Sequence, residues 1–328
     1  MACAGSTPPP PAPKPESSDE IALGDTEAKP LTATATSAAP RPALQIPPPP
    51  ADLGTPGKAN AIMVEGFLNP AAAIYDELND VYLVSNINGD PLADDGNGFI
   101  SRVSPEGNVV ELRFIDGGKP GVSLSAPKGM AVFGNLLAVA DLHAVRIFEA
   151  KSGKPVRSIE IEGATAITDV ALLGDGSLVV SDAGYKLDKG KPVPSGTDAL
   201  FRVDREGGYA PIVRSPRLAR PRGLFANGDS IDVSTGGAAA LLRYGFDGKE
   251  RGLRTAPTGN LEGLVSLPGG VRAFASRDGR CIYTVNNAFQ FLPLLGGLDG
   301  PGDLGVDARR RKLLIPLSGP NRLMISPY

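Results

Sequence analysis

Residues 128–156 read KGMAVFGNLLAVADLHAVRIFEAKSGKPV, and this stretch decides the fold. Apolar runs at 130–133 and 136–140 are separated by a Gly-Asn turn, and an alternating run at 145–148 and a run from Val156 follow them. Short β-branched runs between Gly, Asn and Asp turns are typical of β-hairpins, because these turn residues adopt positive φ at low cost. We therefore predict a four-stranded meander, which needs neighbouring copies of itself to bury its faces.

The entry to the first strand of this meander recurs along the chain. An earlier copy begins near Ala72, and later entries fall at Gly129, Asp169, Gly223, Gly263 and Asp303, separated by 40, 54, 40 and 40 residues. A period near 40 residues that contains four short strands is typical of a propeller blade. Six copies predict an all-β, six-bladed β-propeller over residues 58–328.

The two ends of the propeller region complement each other. The last copy stops at Tyr328, one strand early, whereas residues 60–65 (NAIMVE) form an apolar strand that belongs to no copy. Pairing this N-terminal strand with the last blade would close the ring and leave no exposed edge. We predict that closure.

Residues 1–57 have a different composition, rich in proline, alanine, serine and threonine, which predicts a disordered tether. The chain of 328 residues has a net charge of -3 and no large basic cluster, so no nucleic-acid partner is expected. No apolar run is long enough to span a membrane. Two cysteines, one of them in the tether, give no reason to expect a structural disulfide, and we expect a monomer.

The start of the tether, MACAGS, resembles the processing site of bacterial lipoproteins, in which a cysteine after small residues becomes lipidated. We therefore expect lipidation at Cys3, location in the periplasm or cell envelope, and membrane contact only through this anchor. The basic and apolar signal segment of such proteins does not precede Cys3 in this sequence, so either the start has been trimmed, which we favour, or the similarity is accidental.

Two intervals are long because extra residues separate the second and third strands of two blades. These are residues 86–98 (NINGDPLADDGNG) and 182–198 (DAGYKLDKGKPVPSGTD). In a propeller both loops lie on the face where the innermost strands begin. Long loops on a rigid scaffold commonly carry binding sites, although tolerated surface insertion is the alternative.

Five segments carry a resemblance to a known family: YDELNDVYLVSN (75–86), PKGMAV (127–132), VADLHAVRI (139–147), ITDVAL (167–172) and VSDAG (180–184). On these segments residues 60–328 resemble the six-bladed propellers of the gluconolactonase/regucalcin-like group, with an NHL-like cadence. The resemblance implies the fold. It also brings a lactonase activity into consideration. The lactonase members of the family hold a divalent metal over the central channel with a glutamate, asparagines and an aspartate.

The metal ligands of that family are mostly replaced here. The glutamate position falls at Ala71, or at Asn69 if the loop is shifted, and an asparagine-aspartate pair becomes Pro127-Lys128. A third position is Thr168, followed by Asp169, and only the fifth-blade acid is kept, as Glu262. An ammonium at Lys128 would repel a dication. A cation such as calcium therefore has only three weak candidate ligands: Asp169, Glu262 and Asp303.

What remains is a ring of polar side chains at the mouth of the predicted channel. Its members are Lys128, Thr168, Asp169, Arg222, Glu262 and Asp303. They could bind a small polar or anionic ligand, or they could form a self-neutralising structural network. The directions of the two aspartates are open, because Asp169 and Asp303 align one residue later than the other charged members and neighbouring strand residues point oppositely.

Other reactive residues carry less information. His143 is the only histidine and follows a second strand, so a turn role is expected and histidine-based catalysis is nearly excluded. The acidic cluster in the first long loop, which comprises Asp90, Asp94, Asp95 and Asn97, is read as a solvated loop, with calcium as the alternative. Cys281 is expected in a buried third strand, and the basic run at 309–312 at a solvated hairpin tip.

Two classes of function stay open at this level. The first is a non-catalytic, exported propeller that binds a small polar ligand or a cell-envelope protein on its loop-rich face. The second is a divergent lactonase-like hydrolase that uses Asp169, Glu262 or Asp303 with a metal. We prefer binding, because the family's metal set is degraded and no other pair of nucleophile and base is evident.

Overall fold

The computed structural model describes residues 60–286 and 290–328. Cys3 and the predicted tether at 1–57 lie outside these residues, so lipidation and the tether boundary stay predictions. Within the described part no helix is long and apolar enough to cross a membrane.

The described residues form six four-stranded antiparallel sheets and one separate hairpin. In chain order the strands are β1 (Ile62–Val64), β2 (Pro70–Asp76), β3 (Val81–Asn86), β4 (Phe99–Val103), β5 (Val109–Asp116), β6 (Pro127–Phe133), β7 (Leu136–Asp141), β8 (Ala144–Glu149), β9 (Pro155–Glu160), β10 (Ile167–Leu172), β11 (Leu178–Asp182), β12 (Tyr185–Asp188), β13 (Lys191–Pro194), β14 (Ala199–Val203), β15 (Tyr209–Arg214), β16 (Pro221–Asn227), β17 (Ser230–Thr235), β18 (Ala240–Gly245), β19 (Glu250–Thr255), β20 (Leu261–Ser266), β21 (Arg272–Ser276), β22 (Cys281–Val285), β23 (Phe291–Leu295), β24 (Gly305–Asp307), β25 (Lys312–Leu317) and β26 (Arg322–Pro327). Short 3₁₀ turns lie at Pro216–Leu218 and Pro268–Gly270.

The sheets are the six predicted blades. Blade 1 is β2-β3-β4-β5, blade 2 is β6-β7-β8-β9, and blade 3 is β10-β11-β14-β15. Blade 4 is β16-β17-β18-β19, blade 5 is β20-β21-β22-β23, and blade 6 is β24-β25-β26-β1. The second long loop contains the hairpin β12-β13, which the sequence reasoning had left as a loop.

The N-terminal strand closes the ring, as predicted. Strand β1 is the outermost strand of blade 6 and pairs Ile62 with Ile325 and Val64 with Leu323 in antiparallel register. The side chain of Val64 is buried in a cluster that also contains Phe67 and Leu314. The last blade therefore combines both ends of the propeller region.

The hydrophobic core lies between the faces of successive blades. The cluster between blades 1 and 2 includes Leu83, Ile100, Leu137 and Phe148, and equivalent clusters separate the following blades. Cys281 is fully buried in the third strand of blade 5, as expected, and burial raises the pKa of its thiol to about 11.

The basic run at 309–312 corrects one sequence expectation. Arg309 and Arg311 are exposed, but Arg310 points into blade 1, where its guanidinium lies 2.7 Å from Asp80 Oδ2 and 3.0 Å from Asp307 Oδ2. The same guanidinium donates to Tyr75 Oη at 3.1 Å. Arg310 therefore joins the last blade to the first and is not part of a solvated tip.

Candidate functional site

A cavity of about 260 Å³ lies where the innermost strands begin. All six side chains of the predicted polar ring line it: Lys128, Thr168, Asp169, Arg222, Glu262 and Asp303. Four further polar residues that the sequence reasoning had not included also line it: Asn69, Arg220, Asn260 and Arg277. The structure thus brings the predicted residues together in a wider and more cationic ring.

Backbone irregularities explain how residues that are one position out of phase face the same cavity. The pairing of each innermost strand of blades 1 to 5 with its second strand is interrupted near its start, between Pro127 and Met130 in blade 2 and between Ile167 and Asp169 in blade 3. A bulge re-aims the side chains beside it. Lys128 and Asp169 therefore both reach the cavity despite the offset in their alignment.

Glycines at the strand entries let neighbouring innermost strands approach closely. A Cβ atom on Gly129 would lie 2.0 Å from Asp169 Oδ1, and one on Gly263 would lie 2.0 Å from Asp303 Oδ1. Each aspartate is therefore packed against the backbone of the preceding blade. A side chain at either glycine would displace the carboxyl group.

Hydroxyl groups on one blade hold the site residues of the next blade in place. Ser181 Oγ donates to the carbonyl of Arg222 at 2.9 Å, and Ser234 Oγ donates to the carbonyl of Glu262 at 2.7 Å. Thr168 Oγ1 donates to the carbonyl of Pro221 at 2.9 Å. The hydroxyl of Thr168 is thus engaged in bracing blade 4, which gives this predicted ligand residue a structural role.

Asp169 and Asp303 form a hydrogen-bonded carboxyl pair across the cavity. Asp169 Oδ2 accepts a hydrogen bond from the Leu224 amide at 2.7 Å, and Oδ1 accepts one from the Val170 amide at 2.7 Å. Burial, followed by the charge of Asp303, raises the pKa of Asp169 well above its usual range. Burial and then the nearby Glu262 charge raise the pKa of Asp303 to about 7. The pair therefore holds its protons to a higher pH than isolated aspartates would.

One carboxylate serves two arginines at the cavity wall. Arg222 Nη1 lies 3.1 Å from Glu262 Oε1, and Arg277 Nε lies 2.8 Å from the same oxygen. Glu262 is buried, whereas each arginine side chain keeps about a third of its surface exposed to the cavity mouth. The guanidinium groups are thus fixed in position but only partly neutralised.

Lys128 is the most unusual cation of the ring. It is only 8% exposed, and its Nζ donates to the carbonyl of Ala126 at 3.0 Å. In residues 60–286 and 290–328 no carboxylate lies within ion-pair distance of this Nζ. Asp141 raises the pKa of Lys128, but burial outweighs it and lowers the pKa to about 8. A buried ammonium with one neutral partner is costly unless something else compensates it.

The second long loop reaches the cavity through Arg220. The guanidinium of Arg220 lies 5.4 Å from the ring of Tyr185 at the base of the β12-β13 hairpin, and it donates to the carbonyl of Gly236. The loop is tied down by mutual hydrogen bonds among the hydroxyls of Thr165, Ser195 and Thr197. This long loop therefore contributes to the position of a cavity residue.

The first long loop holds its acids in local turns. Asp94 Oδ1 accepts from Ser125 Oγ at 2.6 Å, Asp90 accepts from the Leu92 amide, and Asp95 accepts from both the amide and the side chain of Asn97. In the described residues no three His, Cys, Asp or Glu side chains are grouped in a way that could hold a metal ion. Three acids of the loop are thus engaged in local hydrogen bonds.

The donor set of the central cavity also fails to fit a divalent metal. A hard dication needs several available oxygen ligands, whereas both carboxyl oxygens of Asp169 accept backbone amides and Glu262 is engaged by two guanidiniums. Lys128 adds a positive charge on the same wall. The three weak candidate ligands therefore lie at one site, but their partners favour an anion.

A sequence signal for Arg277 existed and was missed. It immediately follows Ser276, the last residue of a second strand, on the face where the innermost strands begin. Ile87, which follows the second strand of blade 1, lines the same cavity. The residue after each second strand should therefore be considered together with the strand entries. His143 lies apart, exposed beside Glu160 at 3.0 Å.

Comparison with known proteins supports the fold and leaves the activity open. No family model and no curated protein matches the sequence. Among solved structures, a gluconolactonase from Xanthomonas campestris is similar with a TM-score of 0.62 and 17% identity, covering 82% of this chain and 91% of its own. A second solved structure, of a protein classed as a gluconolactonase, gives a TM-score of 0.63 and 18% identity, and the match covers 82% of this chain and 92% of the other.

A third neighbour has a different activity on the same fold. Virginiamycin B lyase from Staphylococcus aureus, in a catalytically inactive form with quinupristin, gives a TM-score of 0.54 and 13% identity, covering 82% of this chain and all of its own. One scaffold thus hosts a lactonase and a lyase. The chain is a six-bladed β-propeller of the kind found in gluconolactonases.

Proposed function

We propose that the protein binds a small, polar, carboxylate-bearing molecule in the central cavity. The observation that carries this proposal is Lys128, whose buried ammonium has a single neutral hydrogen-bond partner among the described residues. A ligand carboxylate would supply the missing counter-charge through a charge-assisted hydrogen bond. Arg222, already held by Glu262, would supply a second donor in the same cavity.

The charges of the lining support an anion over a cation. Four cationic side chains reach the cavity: Lys128, Arg220, Arg222 and Arg277. Against them stand three carboxyl groups, those of Glu262, Asp169 and Asp303, and burial raises the pKa of both aspartates. The cavity therefore has a surplus of positive charge in a partly desolvated space, where electrostatic attraction is stronger than in water.

The size of the cavity limits the ligand. Its volume of about 260 Å³ lies just below the roughly 300–1,000 Å³ of drug-sized sites, which restricts it to a small ligand. Side-chain amides of Asn69 and Asn260 line it beside the cations and offer hydrogen bonds to hydroxyl groups. A hydroxylated acid of the size of a sugar acid fits this combination, and D-gluconate is the natural first probe given the gluconolactonase neighbours.

Calorimetric titration with D-gluconate, and with D-glucose as the uncharged control, tests the proposal. We expect saturable binding of gluconate and at least tenfold weaker binding of glucose. Lys128→Met and Arg222→Met should each weaken gluconate binding at least tenfold, while Lys249→Met, an exposed cation elsewhere, should leave it unchanged. Equal responses to gluconate and glucose, or undiminished binding in both cavity variants, would argue against an anion site.

A second candidate function is hydrolysis of a sugar lactone, and the Asp169–Asp303 carboxyl pair favours it. A pair that holds one proton offers a base and an acid side by side. Asp303 would take a proton from the water that attacks the lactone carbonyl, the ring C–O bond would break, and Asp169 would return a proton to the leaving alkoxide. The partly neutralised guanidiniums could stabilise the oxyanion.

Proton release from glucono-δ-lactone distinguishes the two functions. Hydrolysis above the spontaneous rate that is lost in Asp303→Asn would support the enzyme, and its persistence after treatment with a chelator would support the carboxyl pair. If gluconate binds but the lactone is hydrolysed only at the spontaneous rate, the binding function alone remains.

We further propose that the protein works in the periplasm or cell envelope, anchored by a lipid on Cys3. The support is the MACAGS start and the proline-rich composition of residues 1–57. Expression from the natural upstream start, followed by fractionation, should place the protein with membranes and should place Cys3→Ala in the soluble fraction. Identical fractionation of the two would contradict the anchor.

A further inference from the structure

Blade 4 carries a carboxylate where every other blade carries an apolar side chain. Asp232 lies in β17, the second strand of blade 4. The pairing registers identify one equivalent residue in the second strand of each of the other five blades. These are Leu83, Ala138, Val179, Ala273 and Leu314, each with no exposed surface. A charged residue at a position that the fold packs with apolar side chains lowers stability unless it has another use.

Asp232 fixes two arginine side chains from different blades. Arg243 binds it in a bidentate manner, with Nε 2.5 Å from Oδ1 and Nη2 2.9 Å from Oδ2. Arg272 of blade 5 places its Nε 3.4 Å from Oδ2 and stacks its guanidinium 4.0 Å from the Phe225 ring centroid. One carboxylate thus holds two guanidiniums in defined orientations and neutralises only part of their charge.

The two arginines form one wall of a cleft of about 370 Å³ between blades 4 and 5. Arg251 and Arg254 also line this cleft, so its lining has four guanidiniums and one carboxylate. Arg251 is engaged by Asp229 at 2.8 Å and by Asp247 at 3.7 Å, two carboxylates outside the lining. The polar side of the cleft is therefore basic.

The opposite side of the cleft is apolar. Leu241, Leu264 and Val285 form this apolar floor, each less than a tenth exposed. Gly252 lies on the same face of blade 4 as Arg243, and a Cβ atom there would meet only Arg243 Cβ, at 3.8 Å. A space with a basic wall and an apolar floor is complementary to a molecule that has an anionic head and an apolar chain. Its volume lies within the range of small-molecule sites.

We propose that this cleft binds an amphiphilic carboxylate, with its head on Arg243 and Arg272 and its chain along Leu241 and Leu264. Guanidinium groups suit this task, because their planar donors match the two oxygens of a carboxylate. Since Asp232 already orients both side chains, little conformational freedom remains to be lost when a ligand binds. The site is separate from the central cavity and does not depend on the function proposed there.

Calorimetric titration of the full chain with decanoate, below the concentration at which decanoate aggregates, tests the proposal. Acetate supplies the head alone and decanol the chain alone. We expect saturable binding of decanoate and at least tenfold weaker binding of either fragment. Arg243→Met and Gly252→Glu should each reduce decanoate affinity at least tenfold. The new carboxylate of Gly252→Glu would enter the cleft beside Arg243, and the free space at Gly252 makes that variant compatible with folding.

Two matched controls show whether the effect belongs to the cleft. Lys249→Met removes an exposed cation of blade 4 that does not line it, and Lys128→Met removes the cation of the central cavity. Both should bind decanoate as the wild type does. No saturable binding of decanoate, equal binding of acetate, or full binding by Gly252→Glu would overturn the proposal.

Discussion

Arg310 and Lys128 are both cations at boundaries between blades, yet their surroundings differ. Arg310 contacts Asp80, Asp307 and Tyr75, and Tyr82 Oη donates to the same buried Asp307 at 2.8 Å. Lys128, which is more deeply buried, has one backbone carbonyl. The charge of Arg310 is compensated by carboxylates of the protein itself, which is typical of a structural ion pair. The charge of Lys128 has no such partner among the described residues, which is typical of a binding site.

The boundary that contains Arg310 also contains the closing strand, and removing that strand should give the largest effect. Deletion of residues 1–66 removes the pairing of β1 with β26 and the buried side chain of Val64. Loss of one buried apolar side chain and several ladder hydrogen bonds should lower the free energy of unfolding by roughly 4–6 kcal/mol. Deletion of residues 1–57 should leave it nearly unchanged. Equal melting temperatures for the two truncations would refute the role of β1.

Arg310→Met should give the next largest effect. The substitution leaves Asp307, which has no exposed surface, without its cationic partner. Breaking a buried ion pair by removing one partner costs roughly 3 kcal/mol or more, because a charge stays buried and uncompensated. Lys249→Met, which removes an exposed cation outside this network, should change stability by less than about 0.5 kcal/mol in urea unfolding. A comparable loss in both variants would mean that the network has no special role.

The acids of the cavity predict a pH dependence. Because the folded-state pKa of Asp303 is raised from 3.8 to about 7, its stabilising contribution is fully present below pH 4 and is lost as the pH rises through about 7. The melting temperature should therefore fall between pH 5 and pH 8. In Asp303→Asn this fall should be smaller by roughly 2–4 °C, the shift that about 1 kcal/mol produces in a domain of this size. The control Asp188→Asn, in the exposed hairpin, should keep the wild-type dependence of melting temperature on pH. The same dependence in Asp303→Asn would contradict the raised pKa of Asp303.

The fold could be predicted because its information is periodic. The spacing of strand entries and the unmatched strand at 60–65 were enough to predict six blades and their closure. The environment of Arg310 could not be read in the same way, since its partner Asp80 is 230 residues away and a basic run in a turn resembles a solvated tip. Long-range ion pairs leave no local pattern in one sequence.

The candidate site was predictable in composition but not in detail. Strand entries converge on the axis of a propeller, so their polar residues could be grouped from the alignment of blades. The directions of Asp169 and Asp303 depended on irregular pairing near the strand entries, and one residue of register reverses a side chain. Asp232 had no visible role in the sequence, because its meaning comes from comparing equivalent strand positions that only the pairing defines.

Lys128→Met should have the smallest effect on stability and thereby gives the sharpest contrast with Arg310→Met. No acid loses its partner, since Asp141 keeps Arg146 Nε at 3.2 Å and the amides of Ser125 and Ala126. Methionine fills a similar volume without the desolvation cost that lowers the pKa of Lys128 to about 8. We expect the free energy of unfolding to stay within about 1 kcal/mol of wild type or to rise, while gluconate binding is lost. Urea unfolding and calorimetry on the same preparation measure both quantities. A loss of stability comparable to that of Arg310→Met would instead make Lys128 part of a structural network, because a side chain that serves only a ligand cannot stabilise the protein without it.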